Sequence, residues 1–240
     1  MGALVICMAG LNTRFHDVGF DIPKYLLPWG EETIIHNILK ELGKFDEVIL
    51  LANKRDVYFK KELVETIKPL GLTEDNIHYI GDTNGQAHTA YIGASLIKNK
   101  KQPFFVHNAD TILTGRNFKE IESYMAHAYV DVFVATNPKY SYVRSKDGIV
   151  TEIVEKCAIS PFASSGLYGF RNAEIYEDNY ELVLNGFTGK ELYIANVLGH
   201  MIRNGESIGL NELNNEYETI VLGSPQEYGL EVTKQSLKAR

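Results

Sequence analysis

The chain has 240 residues, with 24 Lys and Arg against 31 Asp and Glu, a formal net charge of -7, 45% hydrophobic residues and 23% charged ones. A chain of that length buries roughly 70% of its extended surface without a disulfide or metal staple, and its composition excludes disorder, collagen and long coiled coil. An acidic chain also lacks the basic face that nucleic-acid backbones require, so no nucleic-acid partner is expected and any anionic ligand must be met by a few placed cations.

The apolar stretch from Met1 to Gly10 is too short to span a membrane and lacks the flanks of a signal peptide, so no membrane partner and a cytoplasmic location are expected. Cys7 and Cys157 have no metal ligand at zinc spacing and read as two buried thiols in a reducing compartment.

In chain order, the run Ala3-Leu4-Val5-Ile6-Cys7-Met8, closed by Ala9-Gly10, predicts a strand buried on both faces. Residues 48–52 and 104–106 repeat the pattern, with 77–80 a weaker case. Helical spacing of apolar residues predicts helices over 32–42, 58–70 and 87–97. This alternation over the first 110 residues argues an α/β fold with a doubly wound, mostly parallel, Rossmann-like sheet, whose ligands sit beyond the carboxyl ends of the strands. The second half is β-rich. Strands are predicted over 130–135, 141–144 and 149–154, with Lys146-Asp147-Gly148 as a hairpin turn, and again over 164–170. Helices over 173–184 and 191–203, short strands over 207–210 and 218–222, and a helix from Pro225 complete the chain. With no repeat or linker, 1–240 reads as one domain.

Two loops carry the first chemical signal. Gly10-Leu11-Asn12-Thr13-Arg14-Phe15 follows the first strand, and Pro23-Lys24-Tyr25-Leu26-Leu27-Pro28 comes shortly after. A glycine-bearing loop lets backbone N–H groups approach a phosphate chain, and Arg14 and Lys24 supply cations from two sides. Neither the P-loop nor the G-x-G-x-x-G pattern fits, and a turn with two solvated cations is the plain alternative. Asp110, at the end of the 104–106 strand, is placed either to ligate Mg²⁺ or to cap its own turn with Thr111.

Together, Ala9-Gly10-x-x-Thr13-Arg14-Phe15 and Pro23-Lys24-x-Leu26-Leu27-Pro28 resemble the signature of the sugar-phosphate nucleotidyltransferases, and five further blocks agree in order. They are Gly85-Gln86-Ala87-His88-Thr89-Ala90, His107-Asn108-Ala109-Asp110-Thr111, Val154-Glu155-Lys156 with Ser165-Gly166-Leu167-Tyr168, Glu191 to Asn196, and Gly223-Ser224-Pro225-Gln226-Glu227-Tyr228. The resemblance implies a nucleotidyltransferase fold of glycosyltransferase-A type, with residues 1–115 binding nucleotide and 116–240 binding the acceptor. It implies a nucleotide held by Met8, Ala9, Gly10, Leu11, Asn12, Thr13, Arg14, Lys24, Gly85, Gln86, Thr89 and Asn108, with Arg14, Lys24 and Asp110 catalytic. Acceptor contacts fall to Glu155, Lys156 and Gly166, and Mg²⁺ to Asp110 and Asn196. Two positions depart from the family. Asn12 replaces the usual second glycine of the loop, and Asn196 stands where many relatives carry a second metal carboxylate.

The implied reaction joins a nucleoside triphosphate to a small phosphorylated acceptor and releases pyrophosphate. The variant Tyr193-Ile194-Ala195-Asn196 resembles a branch serving surface and capsular polysaccharide synthesis, which favours CTP and an acceptor such as a sugar 1-phosphate, phosphocholine or phosphoglutamine. A UTP- or dTTP-dependent sugar-1-phosphate enzyme is the alternative. A metal-dependent glycosyltransferase is disfavoured by Asp110-Thr111-Ile112, which is not Asp-x-Asp; a non-catalytic nucleotide-binding domain is the other rival, and a homo-oligomer is left open.

Overall fold

The computed structural model describes residues 1–212 and 218–238. In chain order the elements are β1 (Ala3–Met8), α1 (Thr13–His16), the hairpin β2 (Pro28–Trp29) and β3 (Glu32–Thr33), α2 (Ile34–Leu42), β4 (Glu47–Asn53), α3 (Lys60–Ile67), β5 (Ile77–Ile80), α4 (Gln86–Leu96), β6 (Phe104–Asn108), β7 (Thr111–Leu113) and α5 (Phe118–Tyr124). There follow β8 (Ala128–Val134), β9 (Ser141–Lys146), β10 (Ile149–Glu155), β11 (Phe162–Phe170), α6 (Ala173–Gly186), α7 (Ile194–Arg203), β12 (Ile208–Gly209), β13 (Thr219–Val221) and α8 (Pro225–Lys238).

Nine of these strands form one twisted sheet in the order β5-β4-β1-β6-β11-β8-β12-β10-β9. The first four are parallel, and β11 joins them antiparallel to β6, so the α/β, Rossmann-like half and the β-rich half share one sheet. Alternation along β1 splits the core in two. Ala3 and Val5 face one layer, with Ala87, Ala90 and Ala94 of α4 and Tyr176 of α6. Leu4, Ile6 and Met8 face the other, with Ile34, Ile35 and Ile38 of α2 and Phe118 of α5. Helices therefore cover both faces, as continuous apolar strands demand. From β1 the chain runs outward to β4 and β5, then returns to β6 on β1's other side. That reversal opens a crevice between the carboxyl ends of β1 and β6, where Cys7 pairs with Asn108.

Several expectations shift by a few residues for local reasons. The helix expected over 191–203 starts at Ile194, because Leu192 is held extended by bonds from its N–H to the Asn84 carbonyl (2.7 Å) and from the Ala87 N–H to its own carbonyl (3.0 Å). The helix expected over 58–70 keeps α-geometry only over Lys60–Ile67, with Pro69 ending it in a 3₁₀ turn. The hairpin turn matches its sequence signal, with Asp147 at φ 53° and Gly148 at φ 77°. The cysteine reading is half corrected: both thiols are free, but Cys157 is exposed, whereas Cys7 lies half-buried in β1 and burial pushes its thiol pKa up.

Behind the second half of the sheet lies an ion pair with both side chains fully buried. The Arg116 guanidinium donates to both oxygens of Asp131 at 3.1–3.3 Å, and also to the carbonyls of Thr114 and Glu218 and to Thr219 Oγ1 (2.8 Å). Ser165 Oγ donates to Asp131 Oδ2 at 2.6 Å. The network fastens the β7 and β13 region to β8 and β11.

Candidate active site

The crevice widens into a cleft of about 670 Å³. Its floor comes from the strand ends, and its walls come from the 9–14 loop, the start of α4, the β9–β10 hairpin and the start of α8. Ala9, Gly10, Leu11, Arg14, Lys24 and Asp110 line it, although 100 positions separate the first loop from Asp110. Asn12 adopts a left-handed backbone (φ 57°), which asparagine tolerates better than most residues, and its carbonyl starts α1. Its side chain donates to the Ile22 carbonyl (3.2 Å), tying the loop to the segment that leads to Lys24.

Lys24 forms an ion pair with Asp110. Burial pushes the Asp110 carboxyl pKa up, but the Lys24 ammonium and its hydrogen bond more than offset that and hold it below the usual carboxylate range. Asp110 is further pinned through its backbone, whose carbonyl accepts from Leu222 N–H at 2.8 Å. His107, beneath it, is fully buried with Nε2 against the Thr111 carbonyl (2.7 Å), and burial lowers its pKa.

On the far side of the crevice Gln86 opens α4 and hydrogen-bonds Asn108, and Gly85 and Thr89 line the same wall. Gly166 has φ +89°, and a Cβ there would collide with the Asn108 side chain, so glycine is needed for β11 to pass so close. Over the second half of the cleft, Glu155 and Lys156 end β10. Lys156 holds φ +56°, an uncommon backbone for a lysine, which turns its side chain onto Tyr193: Nζ contacts the hydroxyl and lies 4.4 Å from the ring centroid. Glu155 is largely buried with Ser141 as its donor; burial outweighs that bond and the nearby Lys156, and its carboxyl pKa stands above the usual range.

Four expected residues do not face the cleft. Met8 packs into the core beneath the sheet, and Asn12 and Thr13 shape the loop without lining it. Asn196 is the larger correction. Its Oδ1 accepts the Tyr193 N–H at 2.9 Å at the start of α7, and it borders a separate pocket of about 340 Å³ with Ile153, Val183 and His200. The structure does not bring it to Asp110. Conversely, the cleft contains groups the sequence reading missed: Lys139, Tyr140, Ser141, Glu191 and Glu227. Glu227 sat within a quoted block, but only the fold shows that it turns inward. Among the described residues no three His, Cys, Asp or Glu side chains gather as a metal cage. Asp110 is nonetheless a hard oxygen donor at the cleft wall beside Arg14 and Lys24, the kind of donor Mg²⁺ takes when phosphates and water complete its sphere.

Comparison with known proteins gives the family and the fold. The family model described as Nucleotidyl transferase matches residues 3–215. The bifunctional protein GlmU of Streptococcus gordonii is 27% identical over 232 residues, covering 90% of this chain and 48% of that protein. The chain thus spans about half the length of the curated relatives it matches. The crystal structure of a nucleoside-diphosphate-sugar pyrophosphorylase from Vibrio cholerae superposes with a TM-score of 0.80 at 26% identity, covering 94% of this chain and 98% of that one. The inositol-1-phosphate CTP transferase of T. maritima shares the fold, with a TM-score of 0.72 at 13% identity over 95% of this chain and 91% of that one.

Proposed function

We propose, from the premise that this chain belongs to the nucleotidyl transferase family, that it joins a nucleoside triphosphate to a small phosphorylated acceptor with release of pyrophosphate. The observation that carries this reading is the meeting of Arg14 and Lys24, from two neighbouring loops, with Asp110, from far along the chain, at the switch point between β1 and β6. An oxygen of the acceptor phosphate attacks the α-phosphorus, and the bond from that phosphorus to the β-phosphate oxygen breaks, its electron pair leaving with pyrophosphate. The attacking phosphate is already ionised at neutral pH, so no general base is needed, and catalysis is positioning and charge neutralisation.

In this reading the first half of the chain binds nucleotide and the second half the acceptor. Arg14 and Lys24 neutralise the triphosphate, and Lys24 exchanges the Asp110 carboxylate for phosphate oxygens when substrate enters. The 9–11 backbone approaches the phosphates, Gln86 and Asn108 face the base, and Lys156 meets the acceptor phosphate while Glu155 accepts from its polar groups. Asp110 would hold a divalent ion, Mg²⁺, whose charge would offset that developing on the α-phosphate. CTP is the favoured donor, on the resemblance of residues 193–196 to the capsule-locus branch, and the product would serve surface polysaccharide assembly in the cytoplasm. A UTP- or dTTP-dependent sugar-1-phosphate enzyme is a second reading, favoured by the likeness to the V. cholerae nucleoside-diphosphate-sugar enzyme over nearly both whole chains.

A pyrophosphate-release screen tests both readings: five triphosphates against sugar 1-phosphates and non-sugar phosphates, with Mg²⁺. Release with CTP and one phosphorylated acceptor is expected. Release with UTP or dTTP and a sugar 1-phosphate selects the second reading, and no release from any pair defeats the enzymatic one.

A further inference from the structure

Asn196 cannot supply a second metal carboxylate from where it lies, but the fold brings another acidic side chain to Asp110. β13 pairs antiparallel with β7, placing Val221 opposite Thr111, and the Leu222 N–H bond to the Asp110 carbonyl extends that register by one residue. The backbone is thereby drawn past the Asp110 side chain at Gly223. A Cβ on Gly223 would stand 3.1 Å from Asp110 Oδ2 and 3.7 Å from Glu227 Oε2, so the two carboxylates converge on the space that the missing side chain leaves. Glu227 reaches that point from the first turn of α8, where Ser224 Oγ donates to its Oε2 at 2.7 Å.

A glutamate that merely capped its helix would bond the backbone at the helix start and face solvent. Glu227 instead lines the cleft, paired with the Lys139 ammonium and accepting from the Tyr140 hydroxyl at 2.9 Å. Asp110 is matched in the same way by Lys24. The cleft thus holds two carboxylates on either side of Gly223, each paired with a lysine from a different wall.

Resting on the nucleotidyl-transfer reading, we propose that Glu227 is the second carboxylate of a divalent-cation site centred on Asp110, and that Lys24 and Lys139 are the counter-ions the cation displaces. The charges balance. A divalent ion replaces two ammonium groups at the carboxylates, and the freed lysines move to the triphosphate, which arrives with about four negative charges. Two carboxylates with phosphate oxygens and water form an ordinary Mg²⁺ sphere. A methyl at Gly223 would meet Glu227 Oε2 at ordinary contact distance but crowd Asp110 Oδ2, which would have to shift by a few tenths of an ångström.

The test is Mn²⁺ binding to the full chain, followed by the electron paramagnetic resonance signal of the free ion, alone and with CTP. Glu227→Gln should weaken Mn²⁺ about tenfold or more. Gly223→Ala keeps both carboxylates but sets a methyl against Asp110 Oδ2, so it should weaken Mn²⁺ as well, without depending on how Glu227→Gln folds. Asn196→Ala should leave Mn²⁺ affinity at the wild-type value. Wild-type affinity in Glu227→Gln, loss in Asn196→Ala, or no Mn²⁺ binding by the wild-type chain with CTP would each overturn the assignment. Its failure is separable from failure of the nucleotidyl-transfer reading: pyrophosphate release by a wild-type chain whose Glu227 does not affect Mn²⁺ removes this site alone. Absence of release from every triphosphate, with Mn²⁺ binding still dependent on Glu227, removes the reaction and leaves the site.

Discussion

Three side chains bear most of the chemical argument. Lys24 and Asp110 meet across the crevice mouth, and neither is needed to hold the core, since both remain partly exposed. Lys24→Ala or Asp110→Asn should therefore lower kcat by about a hundredfold or more while leaving the unfolding midpoint close to the wild-type value; near-normal turnover in either would remove that residue from the mechanism. Glu155 behaves in the opposite sense. Burial raises its folded pKa, so the unfolded chain releases this proton at lower pH than the folded one does, and stability falls as pH rises from the unfolded to the folded value. Glu155→Gln removes that penalty. It should melt above wild type at neutral pH, match it in acid where Glu155 is protonated, and raise KM for the acceptor more than for the triphosphate. A melting advantage that persists unchanged into acid would contradict the burial argument. At this scale the sequence exposed the residues with a block signature, Arg14, Lys24, Asp110, Glu155 and Lys156, but not their pairing. It misassigned Asn196, because position along a helix start does not reveal that an amide oxygen is already used by the backbone N–H three residues before it.

At the scale of elements, what was legible followed from local pattern. The apolar runs of β1, β4 and β6 and the Asp-Gly turn between β9 and β10 carry their own signals, and the structure has each of them. The pairing of β7 with β13 carries none: two three-residue strands about a hundred positions apart meet only because the rest of the chain has folded. Yet that pairing brings Gly223 and Glu227 to Asp110. The Arg116 and Asp131 network holds this part of the sheet in place, with five acceptor atoms from four residues around one guanidinium. Arg116→Ala removes the counter-charge of a buried carboxylate, which keeps neutral partners such as Ser165, and should cost about 3–5 kcal/mol, read as a lower denaturant midpoint at unchanged m-value. A loss below 1 kcal/mol would mean that the pair is not the fastening described.

At the scale of the molecule, one sheet runs through both halves, and β11 is the hinge of that construction because it pairs with β6 on one side and β8 on the other. The α/β class was readable from the first 110 residues, whereas the joining of the β-rich half to the same sheet depends on antiparallel pairings over long separations that no periodicity announces. The chain carries a net charge of -7, and one cleft gathers Arg14, Lys24, Lys139, Lys156 and Lys190 beside Asp82, Asp110, Glu155, Glu191 and Glu227, so binding of an anionic substrate there should rest on those few cations and weaken with rising salt only as far as they are screened. Transfer of a nucleotidyl group to a phosphate oxygen is tested most directly by supplying the wild-type chain with triphosphate and an acceptor whose phosphate oxygens are ¹⁸O-labelled, then weighing the products. All acceptor label should stay in the nucleoside-diphosphate product and the pyrophosphate should be unlabelled; label in pyrophosphate, or triphosphate bound with no pyrophosphate released for any acceptor, would contradict such a transfer.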